Sequence, residues 1–148
     1  MASKPAYLPE VVIDASVSIS WLFQDQPGCK TAEQLFLDGY KNRRILRAPV
    51  LWLWESANVL QTYARKGQIS MADIPDLLRA FRYPRIVLDQ VPDMGIQQST
   101  LDIAMSTGLS YYDASYVELA RRLNAQLATF DQPMKAGARQ LGVTCLDL

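Results

Sequence analysis

Short β-branched runs alternate with segments of helical period along most of these 148 residues, and this alternation constrains the fold more than any other feature. Val11-Val12-Ile13 is apolar and β-branched, and reads as a buried strand that ends at Asp14. Residues 15–23 follow as a helix, broken by Gln26-Pro27-Gly28. Residues 29–41 suit a second helix, with Ala32, Leu35 and Phe36 on one face. Residues 45–48 read as a strand stopped by Pro49, and 50–66 as a helix capped by Gly67. Ser70 starts a further helix with Leu77, Leu78 and Phe81 inward, ending before Pro84. Residues 85–88 and 126–130 read as strands, with helices over 93–107 and 110–123 between them. A helix over 133–141 and a last strand over 143–146 complete the chain.

Strands alternating with helices predict an α/β fold with a mainly parallel central sheet. The length sets the expectation of one domain over 1–148. Ligands of such sheets bind beyond the carboxyl ends of the strands, where the strand order reverses.

The absences narrow the chemistry. The chain has no histidine, which removes Ser-His-Asp and Cys-His catalysis and nearly every histidine-ligated zinc site. Its two cysteines, Cys29 and Cys145, lie far apart and read as packing residues, which fits a reducing cytoplasm. No glycine-rich phosphate cradle occurs. Met1-Ala-Ser-Lys-Pro5 holds no apolar export core, and no apolar run is long enough for a membrane span. Fifteen basic residues balance fifteen acidic ones, which argues against a general nucleic-acid coat while leaving room for a local site.

Four acids stand out against this background. Asp14 and Asp131 each follow a strand, so both project from the carboxyl edge of the sheet. Asp113 lies in the first turn of the helix that feeds the 126–130 strand, which places it at the same edge. Glu55 lies on the helix after Pro49 among Leu51, Trp52, Trp54, Asn58 and Val59, with no basic residue one turn away. Each acid also has a plainer reading. Asp14 caps the helix after it, Asp113 completes a capping box with Ser110, and Asp131 starts a turn or helix. Glu55 reaches solvent. Together, however, four unpaired carboxylates opening onto one edge would repel one another. A hard divalent cation such as Mg²⁺ or Mn²⁺ relieves that repulsion and activates water toward a phosphodiester.

Four segments carry a resemblance. Val11-Val12-Ile13-Asp14-Ala15-Ser16-Val17, Glu55-Ser56-Ala57-Asn58-Val59-Leu60, Leu109-Ser110-Tyr111-Tyr112-Asp113-Ala114-Ser115-Tyr116 and Leu127-Ala128-Thr129-Phe130-Asp131 resemble, in this order, the PIN-domain family. The VapC-like toxins of toxin–antitoxin pairs are the most similar branch, over about 10–148. The resemblance implies a three-layer α/β/α sandwich whose strand order makes Asp14 and Asp131 neighbours. It implies Mg²⁺- or Mn²⁺-dependent endoribonuclease activity, with Asp14, Glu55, Asp113 and Asp131 as both catalytic and metal-binding residues. Thr129 and Ser16 match polar positions beside the acids. An RNA substrate, a cognate antitoxin and a homodimer are implied in the same way. Two other readings stand beside it. One is a catalytically weak PIN-like binding module within a complex. The other is a haloacid-dehalogenase-like phosphatase, which lacks support because Asp14-Ala15-Ser16 has no second acid.

The basic groups Arg43/Arg44/Arg47, Arg79/Arg82/Arg85, Arg121-Arg122 and Lys135/Arg139 read as solvated faces, with an RNA-contacting rim as the alternative. Trp21, Trp52, Trp54 and Tyr83 read as core, or in part as the lining of a groove.

Overall fold

The computed structural model describes residues 7–23 and 27–148, so Gln26 of the first helix breaker lies outside the described residues. Strand β1 (Glu10–Ile13) leads through Asp14 into helix α1 (Ala15–Ser20), and α2 (Cys29–Tyr40) follows. Strand β2 (Ile45–Ala48) precedes the long helix α3 (Leu51–Arg65). A 3₁₀ turn (Met71–Asp73) opens α4 (Ile74–Ala80), and β3 (Ile86–Leu88) leads to α5 (Met94–Thr107). Helix α6 (Tyr111–Leu123), β4 (Gln126–Ala128) and α7 (Gln132–Gln140) complete the order.

The sheet has four strands, all parallel, in the order β3-β2-β1-β4. Val11, Val12 and Ile13 are fully buried because β1 is central and covered on both faces. Val12, Ala48 and Leu127 join one apolar cluster with Trp52, Leu60 and Tyr116 from α3 and α6. Val11, Ile13, Leu46 and Ala128 join a second with Val17, Ala32 and Leu35 from α1 and α2. Successive strand residues thus serve opposite faces, which makes the expected three-layer α/β/α sandwich. Strand order reverses at β1, with β2 on one side and β4 on the other. The crevice at that reversal is where Asp14 and Asp131 leave the sheet.

Several boundaries differ from the sequence reading, each for a local reason. Strand β4 stops at Ala128 because the next backbone donors go to hydroxyls: Phe130 N–H bonds Ser16 Oγ and Asp131 N–H bonds Thr129 Oγ1. Strand β3 starts at Ile86 because Arg85 turns through φ +51°. The segment 143–146 makes a single parallel bridge, Leu127 to Cys145, since three-residue β4 offers no longer ladder. Helix α1 stops at Ser20, and Trp21 folds inward to bond the Ala32 carbonyl and pack edge-on against Phe36. Ser70 caps only the 3₁₀ turn, and α4 begins with Pro75 near its start, where no N–H is needed. No helix among the described residues is long and apolar enough to cross a membrane.

Candidate active site

Asp14 leaves β1 in an extended conformation (φ −103°, ψ 178°) and caps α1. Its Oδ1 accepts from Val17 N–H at 3.2 Å and from Ser16 Oγ at 2.6 Å. Its Oδ2 accepts from Thr129 Oγ1 at 2.5 Å. The plain capping reading is therefore correct, yet it does not exhaust the residue, which is only 5% exposed. Burial raises its pKa, hydrogen bonds from Ser16, Thr129 and Val17 pull it back, and the Asp131 charge raises it further.

Asp131 caps α7, accepting from Met134 N–H at 2.7 Å, and stays exposed. Thr129 joins the two acids, donating to Asp14 while accepting from the Asp131 backbone. Ser16 closes the same loop, donating to Asp14 while accepting from Phe130 N–H. The ends of β1 and β4 are thus tied by two hydroxyls that also satisfy the Asp14 carboxylate.

Glu55 lies half-buried in the second turn of α3, and the Tyr116 hydroxyl donates to its Oε1 at 3.1 Å. Burial raises its pKa, the Tyr116 bond lowers it, and the charges of Asp14 and Asp113 raise it. Asp113 sits in the first turn of α6, set by two devices in the corner before it. Gly108 takes φ +76° to end α5, and Ser110 Oγ accepts from Asp113 N–H at 3.0 Å. The Asp113 carboxylate makes no return bond to Ser110 among the described residues, so half of the expected capping box is absent. That leaves the carboxylate half-exposed and free.

Asp14 thus feels the charge of Asp131, and Glu55 the charges of Asp14 and Asp113. None of them forms an ion pair among the described residues. They are not drawn into a ready-made cage either, since no group of three such side chains closes around a common point among the described residues. An open, oxygen-only anionic donor set fits a hard cation that keeps several waters and takes few carboxylates.

Tyr116 is the residue that the sequence reading missed. It is fully buried, one turn beyond Asp113 on α6, and Glu55, Asp14 and Asp113 all act on it. Burial first, then these charges, hold its phenol far above the ordinary range, so it remains a donor. Its spacing of three from Asp113 was the available signal. Of the basic residues, Arg44, Arg47, Arg79 and Arg122 form ion pairs, whereas Arg43, Arg82, Arg85, Arg121 and Arg139 are exposed. Arg44 pairs with Asp38 of α2, and Arg47, from within β2, pairs with Glu10 at the amino end of β1. Arg79 pairs with Asp76 and Arg122 with Asp89 and Glu118. Trp52 is core, whereas Trp54 and Tyr83 are exposed.

The PIN domain pattern matches residues 11–139. The VapC ribonuclease Mb0985 of Mycobacterium bovis is 32% identical over 121 residues, 82% of this chain and 85% of that protein. Ribonuclease VapC9 of Mycobacterium tuberculosis matches with the same identity and coverage. Among solved structures, PAE2754 of Pyrobaculum aerophilum superposes with a TM-score of 0.70 at 23% identity, covering 95% of this chain and 91% of that one. The sarcin-ricin loop cleaving toxin VapC20 of Mycobacterium tuberculosis superposes with a TM-score of 0.60 at 14% identity, covering 85% and 93%. Parallel sheet, edge-clustered acids and matched length agree: the chain belongs to the PIN domain family and is similar to VapC ribonucleases.

Proposed function

We propose that this protein is a Mg²⁺- or Mn²⁺-dependent endoribonuclease, the toxin of a toxin–antitoxin pair. The observation that carries the reading is Asp14, a buried carboxylate with no cationic partner among the described residues. Holding such a group ionised beside Asp131 and Glu55 costs stability that a bound cation returns. Asp14, Glu55, Asp113 and Asp131 are the residues that would hold it. When bound, a hard divalent ion supplies Lewis acidity toward water and toward the phosphodiester oxygens.

The chain's own groups do the positioning. Ser16 and Thr129 lock both Asp14 oxygens, so that this carboxylate presents one orientation. Tyr116 holds Glu55 by one oxygen and leaves the other free. Asp113 is free of hydrogen bonds among the described residues and suits the task of taking a proton from water. Asp131, exposed at the rim, faces incoming RNA. The relatives named as ribonucleases support the substrate class, and the likeness to VapC20, a sarcin-ricin loop cleaving toxin, supports the toxin role.

The test is cleavage of a mixed RNA pool. Cleavage is expected with Mn²⁺ or Mg²⁺, lost in EDTA and restored by Mn²⁺. Equal cleavage in EDTA would sink metal dependence. No cleavage with either ion would sink the ribonuclease reading, and the product of a neighbouring antitoxin gene should suppress the activity.

Thr129→Val keeps the side-chain shape and deletes the hydroxyl that serves Asp14 and the Asp131 backbone. Loss of an outer partner of this kind lowers metal affinity or activity about 10–100-fold. The expected result is weaker Mn²⁺ binding and slower cleavage with little change in secondary structure, read by titration calorimetry, cleavage rates and circular dichroism. Wild-type Mn²⁺ affinity in Thr129→Val would remove the hydroxyl from this role.

The reading includes a homodimer. Helix α5 exposes Met94, Leu101 and Met105 along one stripe, an apolar face that a second copy would cover. Sedimentation of the wild type should give a dimer at tens of micromolar, and Leu101→Arg with Met105→Glu should give monomers. A monomeric wild type would end this part of the reading.

A further inference from the structure

Beside the acids lies a separate cavity of about 140 Å³. Its walls come from the exits of β2 and β3 and from the facing starts of α3, α5 and α6. Pro49, Pro92 and Ile96 make apolar walls, and Tyr111 and Tyr112 stand at one side with their rings edge to face at 6.2 Å. Two carboxylates, Asp89 and Glu118, also line it.

The cavity is fixed in shape. Arg122 clamps Glu118 with two bonds, Nε to Oε1 at 2.9 Å and Nη2 to Oε2 at 3.1 Å. The same guanidinium reaches Asp89 Oδ2 at 2.5 Å. Glu118 is 4% exposed, and Asp89 continues the sheet through its N–H to the Ala48 carbonyl at 2.9 Å. One guanidinium cannot use all the lone pairs of two carboxylates, so each keeps acceptor capacity. The cavity opens at the same carboxyl edge as the acids: Tyr112 directly precedes Asp113, and Leu51 shares a face of α3 with Glu55, about 6 Å along the helix. Ile96 and Thr100 face it from the side of α5 opposite the Met94–Leu101–Met105 stripe, so a dimer through that stripe leaves it open.

We infer that this cavity binds an unstacked cytosine of the RNA next to the cleaved bond, an inference that rests on the ribonuclease reading. An apolar cavity of about 150 Å³ holds one benzene ring, so the volume suits a single-ring base better than a purine. Aromatic flanks suit a base splayed out of a single strand. The charged lining groups are acceptors, which match the exocyclic N4 amine of cytosine. Uracil presents a carbonyl oxygen at that position, which the net negative charge of Asp89, Glu118 and Arg122 disfavours.

The test uses isotope-labelled wild-type protein in EDTA, titrated with cytidine and with uridine and followed by amide NMR. Nucleosides carry no phosphate, so the base alone is read. Cytidine should shift the amides of Tyr111, Tyr112 and Ser115, with an affinity about tenfold above that of uridine. Ser115→Leu fills the cavity and should abolish these shifts. Equal affinities, shifts elsewhere on the surface, no shift at tens of millimolar, or unchanged cytidine shifts in a folded Ser115→Leu protein each overturn the inference. Cleavage of the RNA pool by wild type with Mn²⁺ reads the reaction itself. Absent cleavage overturns the ribonuclease reading, while cleavage beside equal nucleoside affinities overturns only the cytosine site.

Discussion

Asp14→Asn should cut RNA cleavage by orders of magnitude and leave the protein folded. The amide oxygen still accepts from Val17 N–H and Ser16 Oγ, so the cap on α1 survives. The amide nitrogen faces Thr129 Oγ1, which has a second lone pair beyond the one used by Asp131 N–H. What disappears is the charge. Burial raises the Asp14 pKa, so at neutral pH the ionised form weakens the folded state, and neutralising it should stabilise the metal-free protein by about 0.5–2 kcal/mol. Cleavage should fall by about 10²–10³, the scale for losing one preorganised electrostatic group. Metal separates the roles further. Wild type should gain about 2.7 kcal/mol at a hundredfold excess of Mn²⁺ over Kd. That corresponds to roughly 5–10 °C in Tm for a chain of this size. The Asn variant, lacking one hard anionic ligand, should gain much less. Thermal melting with and without Mn²⁺, beside the cleavage assay, decides. Equal metal-induced shifts with retained cleavage would return Asp14 to the role of a helix cap.

The largest loss of stability is expected from Trp52→Ala. Trp52 is 2% exposed, packs edge-on to Phe81 at 6.4 Å, and donates from Nε1 to Ser18 Oγ at 2.9 Å. Truncation leaves a large cavity and removes one of the two hydrogen bonds of the Ser18 hydroxyl, at about 3–5 kcal/mol. Tm should fall by about 10–15 °C. The position also bears on catalysis, because Trp52 fastens α3, which carries Glu55, to α1, which follows Asp14. Trp52→Phe retains one ring and loses the N–H bond and part of the indole's volume, at about 1–3 kcal/mol. It should keep most of the cleavage rate, whereas Trp52→Ala should lose cleavage even at temperatures where it remains folded. Denaturant titration and cleavage at low temperature check both. Full activity in folded Trp52→Ala would show that the clasp does not position Glu55.

Trp52 and Trp54 show how far local pattern reaches. Both flank Glu55 in an apolar stretch and look alike in the chain. Two residues apart on a helix they point to nearly opposite sides, so one is buried and the other exposed. The period of the helix contained that difference, but which side met the core depended on where α3 landed. Arg44 and Arg47 behave similarly. Their clustering is visible in the sequence, and Arg44 meets Asp38 across a local turn, while the pairing of Arg47 with Glu10 arises only when β1 and β2 lie side by side.

Local interactions are what one chain segment can express alone. Runs such as Val11-Val12-Ile13, the Ser110 cap and the turn at Gly108 act within a few residues, so strands, helices and the edge positions of Asp14 and Asp113 were legible from the order of residues. Contacts between distant segments were not. The Thr129 hydroxyl meets Asp14 across 115 positions, and Tyr116 meets Glu55 across 61. The cavity closed by Arg122, Glu118 and Asp89 needs the ends of β2 and β3 beside the starts of α5 and α6. Such groups meet only when packing has set the strand order β3-β2-β1-β4, since no local hydrogen bond or periodicity encodes which strand lies next to which.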